Sequence, residues 1–509
     1  MDSSISSPLG DAQHTPENSP RKRRKLLTIG LVVLSISCCV LAYRYYESRI
    51  YPLWGYGNEP EALSFMNTKP AKALSGGDLT HFKFGTVSFE EPAANLPWQI
   101  AAEFDIGDGL FERRHLTAKI GYDRFDGDGV GPLFNMASCE GCHVADGRAA
   151  PPEVSGQVLE GLLFRVSVPG KSDVGGPKPH PIYGGQLADK AVDGQLPEIE
   201  YTLDFETVTG QFADGQTYEL QKPIYRFVNM SQGPLEHDAM VSPRIAPFMI
   251  GMGLLDAISN ESILERSDEL DRNQDGISGK PNWVWDIQEE TMAIGKYGWK
   301  AETPTLAQQA MDAAVNDMGL TNPLFPSETC MPTQTKCGEL LAQLDSTETE
   351  LNESQMDAMV TYLAFLGVPG RDYLDNPEVQ RGEVLFNELG CESCHRATFT
   401  TGDDHFERRL RNQVIHPYTD LLLHNMGEGL ADHRPTFDAD GYEWRTPPLW
   451  GIGMVKAVNG HTRFLHDGRA RNLEEAVLWH GGEAEQAKQG YTQLSENDRA
   501  SVIKFLKSL

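Results

Sequence analysis

The sequence NPEVQRGEVLFNELGCESCH, from Asn376 to His395, joins a predicted helix to a short cysteine motif. Asn376 is a favourable N-cap, Pro377 suits the first helical turn, and apolar residues recur at helical spacing up to Gly390. The pentapeptide that follows, Cys391 to His395, is typical of covalent haem c attachment, because its two thiols add to the porphyrin and its histidine ligates the iron. This order of helix and motif predicts a cytochrome c domain.

The same pentapeptide occurs earlier in the chain as CEGCH, from Cys139 to His143. We therefore predict two covalently bound haem c groups. A zinc site or a thioredoxin-like dithiol is the alternative for Cys-x-x-Cys, but no histidine pair at zinc-finger spacing follows either motif. A four-cysteine site that joins both motifs stays open. The residues predicted to attach the haems are Cys139, Cys142, Cys391 and Cys394, with His143 and His395 as the proximal iron ligands.

Each motif lies in a segment that ends with an amphipathic helix. Asn352 begins a capping box before one of these helices, and Ser495 caps the other. The predicted fold class is mainly α with long loops, with two cytochrome c-like haem domains behind an N-terminal transmembrane helix. We place a boundary near Gly370, between an N-terminal haem domain with insertions (residues 47–370) and a compact C-terminal cytochrome c domain (residues 371–509).

The N-terminal residues predict a membrane anchor. Residues 1–25 form a tail that ends in consecutive cations, and the apolar run over residues 26–46 is long enough to cross a bilayer. The cations predict a cytoplasmic N-terminus at the bacterial inner membrane, with the haem domains in the periplasm. The alternative is a cleaved signal peptide, although the long N-terminal extension and the lack of a clear cleavage site favour the anchor.

The chain is strongly acidic, with a formal net charge of -29. Without residues 1–25, the remainder has 39 basic and 70 acidic side chains, which is a balance of -31. This charge excludes nucleic-acid binding as the function. It favours a basic electron-donor protein as partner, and solubility alone is the alternative explanation.

Two cysteines remain outside the haem motifs and the apolar N-terminal run. Cys330 and Cys337 are close in sequence, and an exported protein meets an oxidising compartment, so we predict a disulfide between them. Closing this loop would stabilise the fold by about 2 to 3 kcal/mol on the chain-entropy model. Two free thiols and a redox-active pair are the alternatives.

A short polar segment matches the start of a calcium-binding loop. Asp271, Asn273 and Asp275 alternate as in an EF-hand, and Gly276 allows the sharp turn. The position of the closing glutamate is occupied by Asn282, so the bidentate ligand is missing. Calcium is one prediction for this segment, and a polar turn held by side-chain hydrogen bonds is the other.

Further segments follow one another in a recognisable order. They are GPLFNMASCEGCH (Gly131 to His143), SPRIAPFMIGMGLLDAI (Ser242 to Ile258), DGISGKPN (Asp275 to Asn282), YGWKAETPTL (Tyr297 to Leu306), PYTDLLLHNMGEGLAD (Pro417 to Asp432), EWRTPPLWGIG (Glu443 to Gly453) and FLHDGRARNLEEAVLWHGGEA (Phe464 to Ala484). With them the chain resembles the di-haem oxidoreductase family, also called CxxC-motif or thiol oxidoreductases, which is related to bacterial di-haem cytochrome c peroxidases. The resemblance implies two haems, peroxide as a substrate, and an electron donor such as a small cytochrome or a cupredoxin.

The resemblance also suggests the sixth ligand of the second haem iron. Related peroxidases have a His-Asp-Gly motif that is followed fourteen residues later by this ligand, and here His466 is followed at that interval by His480. We predict that His395 and His480 ligate the second iron together, with a lower reduction potential than a histidine and methionine pair would give. Met426 and His424 are the alternatives in the same domain.

Several residues are candidates for the distal side of the first haem. A peroxidase needs a group that takes a proton from bound peroxide and returns it to the leaving oxygen. Glu261 stands where related enzymes place an acid near the peroxide pocket, and His237 lies in loop-like sequence beyond the motif. These two are the predicted catalytic groups, with His180 and Glu236 as alternatives. Arg244 is the predicted pocket cation or haem-propionate partner.

The leading interpretation is a di-haem oxidoreductase of peroxidase type. In this scheme the C-terminal haem receives electrons from a donor protein, and the N-terminal haem reduces peroxide or oxidises a substrate. A non-catalytic electron-transfer cytochrome, with two protein ligands on each iron, is the alternative from a different class. Oxidation of a partner protein, as in the related tryptophylquinone-forming enzyme, is a third interpretation.

Overall fold

Helices lie around both cysteine motifs, and short strands fill the segments between them. The structure is a computed structural model that describes residues 68–116, 129–344 and 349–509. In these ranges the α-helices are α1 (Trp98–Glu112), α2 (Met252–Asp256), α3 (Asn260–Leu264), α4 (Leu306–Met318), α5 (Thr335–Leu344), α6 (Glu353–Phe365), α7 (Pro377–Glu388), α8 (Val455–Asn459), α9 (Leu473–Leu478), α10 (Glu485–Gln493) and α11 (Glu496–Lys507).

The predicted helix starts before and after the second motif are confirmed. The side chain of Asn352 accepts a hydrogen bond from the backbone N–H of Gln355 in a complete capping box at α6. Asn376 caps α7, with a proline at the start of the helix. Ser495 caps α11 in the same way. Local capping chemistry therefore sets where these three helices begin.

The longer strands lie in the insertion after the first motif. The strands are β1 (Thr80–His81), β2 (Leu133–Phe134), β3 (Leu162–Lys171), β4 (Pro177–Lys178), β5 (Gln186–Leu187), β6 (Lys190–Ala191), β7 (Glu200–Gln211), β8 (Thr217–Val228), β9 (Met240–Ile245), β10 (Trp283–Asp286), β11 (Thr291–Ile294), β12 (Val368–Pro369), β13 (Phe399–Thr400), β14 (Val414–Ile415), β15 (Leu423–Asn425) and β16 (Glu443–Arg445). Antiparallel pairing joins β3 to β4, β5 and β9, and β7 to β8 along the full length of both strands.

The prediction of a mainly α fold is wrong. Of the residues that the structure describes, 29% are helix and 19% are strand, arranged in several sheets. Strand β3 forms because Leu162, Phe164 and Val166 alternate along it, so that every second side chain is buried in a core of its own. The segment expected as long loops therefore folds as antiparallel sheet.

The predicted cytoplasmic tail and transmembrane helix, residues 1–25 and 26–46, lie outside the described residues. Among the residues that the structure describes, no helix is both long and apolar enough to span a bilayer. The transmembrane part of the fold prediction, and with it the inner-membrane localisation with periplasmic haem domains, finds no support and is corrected here.

One apolar core spans the two halves of the chain. Helix α1 packs on α6, and α7 packs on α11. Buried residues from Leu79 to Leu509 belong to the same apolar cluster, and β1 pairs with β12. The domain boundary near Gly370 stays a prediction, since buried side chains on both sides of it share this core.

Both helix pairs cross at a glycine. A Cβ atom at Gly107 of α1 would overlap the carbonyl oxygen of Ala358 in α6. In the same way, a Cβ atom at Gly382 of α7 would overlap the carbonyl oxygen of Ser501 in α11. The two backbones approach this closely only because neither glycine carries a side chain.

Candidate functional site

Both cysteine motifs line one continuous internal cavity of about 580 Å³. A cavity of this size is in the range of cofactor pockets. We call the group formed by Cys139, Cys142 and His143 the first haem site, and the group formed by Cys391, Cys394 and His395 the second haem site. All six residues contribute to the cavity wall.

Sharp turns place each motif at the cavity. Before the second haem site, Gly390 has a left-handed φ of 81° and ends the turn that follows α7. After the first haem site, Ala145 and Asp146 have φ values of 54° and 52°. Residues other than glycine seldom adopt this conformation, so the chain is tightly constrained where it leaves His143.

The two proximal histidines have the same hydrogen-bond arrangement. The Nδ1 atom of His143 lies 2.6 Å from the carbonyl oxygen of Pro247, and the Nδ1 atom of His395 lies 3.0 Å from that of Tyr418. A backbone acceptor at Nδ1 keeps the proton there and leaves Nε2 free to bind a metal. Burial lowers the pKa of both side chains to about 4, so both are neutral imidazoles.

The four motif cysteines suit thioether bonds better than zinc. None of them forms a disulfide, and burial raises the pKa of each thiol. Among the described residues, the group with metal-ligand spacing contains Cys394, Asp420 and His424, and no group brings the two cysteine pairs together. Neutral thiols and neutral imidazoles around an apolar cavity fit two haems, whereas zinc requires clustered thiolates.

His480 has the arrangement of an iron ligand. It follows α9 and lines the cavity, and its Nδ1 atom lies 2.7 Å from the carbonyl oxygen of Ala476. Burial lowers its pKa. After burial, the charge of His480 is the largest cause of the lowered pKa of His395. Both histidines line the same cavity, and ligation of the second iron by His480 stays a prediction.

The rival ligands differ from His480. The imidazole of His424 lies 2.9 Å from Asp420 and 2.7 Å from Glu483. Burial opposes its charged form, but hydrogen bonds to Asp420, Cys394 and Glu483 outweigh that effect and raise its pKa well above the ordinary value. A protonated imidazole has no lone pair for iron. Met426 lines the cavity and remains a rival.

The structure separates the three residues predicted to be catalytic. Glu261 is exposed on α3, and the side chain of His237 is 96% exposed, so neither reaches the cavity. Arg244 is buried, lines the cavity and donates from Nη1 to Glu302 over 2.8 Å. Only Arg244 among the three lies where the prediction placed it.

Two cavity-lining carboxylates were missed by the sequence reasoning. Asp317, at the end of α4, accepts a hydrogen bond of 2.8 Å from Gln186, and burial raises its pKa. Its charge also adds to burial in raising the pKa of both thiols of the first haem site. For Glu302 burial favours the neutral form, but Arg244 and Arg165 outweigh it and lower the pKa. The two acids are thus shifted in opposite directions.

The predicted calcium segment folds as a polar turn in this structure. The side chain of Asn273 accepts from the N–H of Asp275 over 3.0 Å, and Asp271 accepts from the N–H of Gly276 over 3.2 Å. Asn273 also donates to Asp275. These side chains therefore stabilise the turn by hydrogen bonds among themselves, and calcium stays a prediction.

The two remaining cysteines are bonded to each other. Cys330 and Cys337 form a disulfide with a Cα–Cα distance of 5.8 Å. Cys337 is fully buried and packs with Leu133 and Ala188. The bridge thus ties the start of α5 to the loop that precedes it, and Cys337 packs this end of α5 on β2 and on the chain that follows β5.

Comparison with known proteins gives one family match. A family model described as "di-haem oxidoreductase, putative peroxidase" matches residues 70–509. No curated protein matches the chain. Among solved structures, the chain is similar to hydrazine synthase from Kuenenia stuttgartiensis, pressurised with 20 bar xenon, at 16% identity and a TM-score of 0.22. That match covers 36% of this chain and 63% of the other, and its low TM-score carries no structural argument.

Proposed function

Because the chain belongs to the di-haem oxidoreductase family, we propose that it is a peroxidase-like enzyme with two covalently attached haem c groups. The family match supports a haem oxidoreductase function. The paired buried thiols and the free Nε2 atoms of His143 and His395 support covalent attachment and proximal ligation at each site. When bound, the haem irons supply the redox chemistry.

The second haem site is suited to relaying electrons. The Nδ1 atoms of His395 and His480 each lie against a backbone carbonyl oxygen, and both histidines line the same cavity. If both held the iron of a bound haem, that iron would have no open position for peroxide. We therefore assign electron entry to the C-terminal half of the chain and substrate chemistry to the N-terminal half.

The first haem site is suited to proton transfer, and one observation carries this proposal. Asp317 and Glu302 line the same cavity with pKa values shifted in opposite directions. In such a pair, the carboxyl group with the raised pKa can act as the acid, and the one with the lowered pKa stays ionised. Asp317 is suited to hold a proton and deliver it to a leaving oxygen, while Glu302 stays ionised and orients Arg244. Reduction of peroxide to two waters consumes two protons and two electrons, so a proton-carrying group at this site is required.

The electron donor of this scheme is a basic protein. The chain has a net charge of -29, which attracts a cationic partner most strongly within about a Debye length of its surface. A small cytochrome or a cupredoxin with a basic surface meets this requirement. Electrons would then pass from the donor to the C-terminal half and on to the N-terminal half.

Replacing the proton-carrying group tests the peroxidase function. We expect Asp317→Asn to lower the turnover of hydrogen peroxide by about 100-fold or more, because the amide cannot transfer a proton. Glu261→Gln, at an exposed position, is the matched control and should retain full turnover. The measurement is steady-state peroxide reduction with a reduced small cytochrome, normalised to the haem content of each variant.

A wild-type protein that contains both haems but does not turn over peroxide would refute the proposal. The same protein exchanging electrons rapidly with a donor would instead support the non-catalytic carrier. Unchanged turnover in Asp317→Asn would remove Asp317 from the mechanism.

A further inference from the structure

Two arginines line the cavity without a carboxylate partner. Arg148, which is only 5% exposed, donates from Nε to the carbonyl oxygen of Arg463 over 2.7 Å and from Nη2 to that of Leu465. Arg445 donates from Nε to the carbonyl oxygen of Gly298 over 2.9 Å. Within the described part of the chain, neither guanidinium forms an ion pair. Their side-chain hydrogen bonds go to backbone carbonyl oxygens, and carboxylates such as Asp467 and Glu302 act on them only from beyond ion-pair distance.

The other cavity arginines are neutralised. Arg244 pairs with Glu302 at 2.8 Å, and Arg165 pairs with Asp312 at 3.3 Å. A buried charge without a counterion costs several kcal/mol, so an uncompensated guanidinium is unusual unless an anion joins it. Burial accordingly lowers the pKa of Arg148 to about 9 and that of Arg445 to about 10. The contrast marks Arg148 and Arg445 as the positions where the cavity lacks negative charge.

The two arginines contact the same short segment. The guanidinium of Arg148 lies 5.2 Å from the ring centre of Trp299. The backbone N–H of Arg445 donates to the carbonyl oxygen of Trp299 over 2.9 Å, and its side chain bonds Gly298. Gly298 and Trp299 line the cavity that contains both haem sites. An anion bound by either arginine would lie next to this segment.

Each arginine is also linked to one haem site. Arg148 follows His143 by five residues. Arg445 belongs to β16, which pairs with β15, where His424 lies 3.5 Å from the sulfur of Cys394. The carboxylate of Asp420 acts electrostatically on both Arg445 and His395. The first arginine therefore belongs with the first haem site and the second with the second.

We propose that Arg148 would hold a propionate of the first haem and that Arg445 would hold a propionate of the second. This inference rests on the two haems of the proposed function but not on peroxide chemistry. Haem propionates are carboxylates, and a guanidinium binds a carboxylate through two parallel hydrogen bonds. The binding supplies the missing negative charge at both positions. It also assigns the propionate role to residues other than Arg244, which Glu302 already neutralises.

Removing one arginine should change one haem only. A cation beside a propionate disfavours the oxidised, more positive iron, so its loss lowers the reduction potential of that haem. We expect Arg148→Gln to lower the potential of the first haem and Arg445→Gln that of the second. In each variant the potential of the affected haem should also become dependent on pH near neutrality, because its propionate then titrates.

The measurement is optical redox titration of the intact protein at several pH values, with covalent haem content determined separately after denaturation. Arg411→Gln is the matched control, since Arg411 also donates to backbone carbonyls, of His405 and Phe406, but lies outside the cavity. Arg148→Lys and Arg445→Lys keep the positive charge, so the reduction potential of each haem should stay close to its wild-type value. These variants also test the proposal if a glutamine variant does not fold.

Unchanged potentials in both glutamine variants, at full haem content, would overturn the proposal. Equal shifts of both haems in either variant would overturn the assignment of one arginine to each haem. A wild-type protein without covalent haem would refute the proposed function itself, and the haem determination distinguishes that outcome from the others.

Discussion

The two haem sites rest on the same helical support. In α1, Phe111 follows the crossing glycine by four residues, and its ring lies 6.1 Å from His143. In α7, Phe386 follows its crossing glycine by the same interval, and its ring lies 6.2 Å from His395. The partner helices α6 and α11 also each carry an aromatic residue four positions after the crossing. The protein thus builds each proximal side from one glycine crossing and one aromatic ring.

The sites differ in what is added to this support. The second site has a second histidine, His480, in the wall of the cavity. The first site has Asp317 and Glu302 in the cavity, and a tyrosine where the other half has phenylalanine: Tyr362 contacts Phe111 as Phe505 contacts Phe386. The hydroxyl of Tyr362 donates to buried Asp146 over 2.6 Å. On our proposal, one scaffold supports an electron relay in one half and acid chemistry in the other.

Removal of the distal histidine should have the largest effect on this difference. His480→Ala opens one coordination position, so we expect the second haem to change from low spin to high spin while the spectrum of the first haem stays the same. Electron paramagnetic resonance of the oxidised protein measures this change. His433→Ala, at an exposed position, is the control. If only the first haem changed from low spin to high spin, His480 would be a ligand of the first haem, and its assignment to the second haem would be wrong.

Filling the glycine crossings tests whether the two halves share their support. Gly107→Ala and Gly382→Ala each place a methyl group against a partner-helix carbonyl, so we expect each to destabilise the protein by about 1 to 3 kcal/mol. Gly109→Ala is a matched control in α1, because its Cβ atom has no neighbour within 4 Å and alanine favours helix by up to about 1 kcal/mol. Chemical denaturation of each variant gives the comparison.

A Gly107→Ala variant as stable as Gly109→Ala would show that the first pair does not need its close approach. The two haem sites would then not depend on the same kind of glycine crossing.

A further predicted effect concerns Asp146, the buried carboxyl that bonds Tyr362 in the first half. Burial raises the pKa of Asp146 from 3.8 to about 8. Because the folded state holds this proton more tightly than the unfolded state, the contribution to stability is fully present below about pH 4 and is lost as the pH rises towards 8. Asp146→Asn removes this dependence, so the stability of the variant relative to the wild type should rise by on the order of 5 kcal/mol between pH 4 and pH 8.

The measurement is the free energy of unfolding at both pH values, with Asp105→Asn at an exposed position of α1 as control. An Asp146→Asn variant whose stability falls with pH as steeply as the wild type would exclude Asp146 as the cause.

The sequence predicted the parts of the molecule that depend on neighbouring residues. The Cys-x-x-Cys-His motifs and the caps at Asn352, Asn376 and Ser495 act locally, so their patterns can be read directly. The hairpin of β7 and β8 was missed although Asp214 and Gly215, a favourable turn pair, lie between its strands. Many side chains of β7 are exposed, and this weakens the alternation that indicates a strand.

The acids of the first site could not be predicted in the same way. Asp317 lies far along the chain from Cys139, and only the packing of α4 brings it to the cavity. Glu302 belongs to the segment Tyr297 to Leu306 that carries the family resemblance, so that segment was the available signal. Glu261 is a candidate because related enzymes place an acid there, and His237 because it lies in loop-like sequence beyond the motif. Neither criterion detects burial.

The proposed difference in spin state between the two haems is tested most directly by electron paramagnetic resonance. The spectra are recorded for the oxidised protein and for the protein reduced by one electron, each with and without hydrogen peroxide. We predict a low-spin signal from the second haem, which peroxide does not alter, and a high-spin signal from the first haem, which peroxide changes. Two low-spin signals that persist after one-electron reduction and do not respond to peroxide would contradict the account.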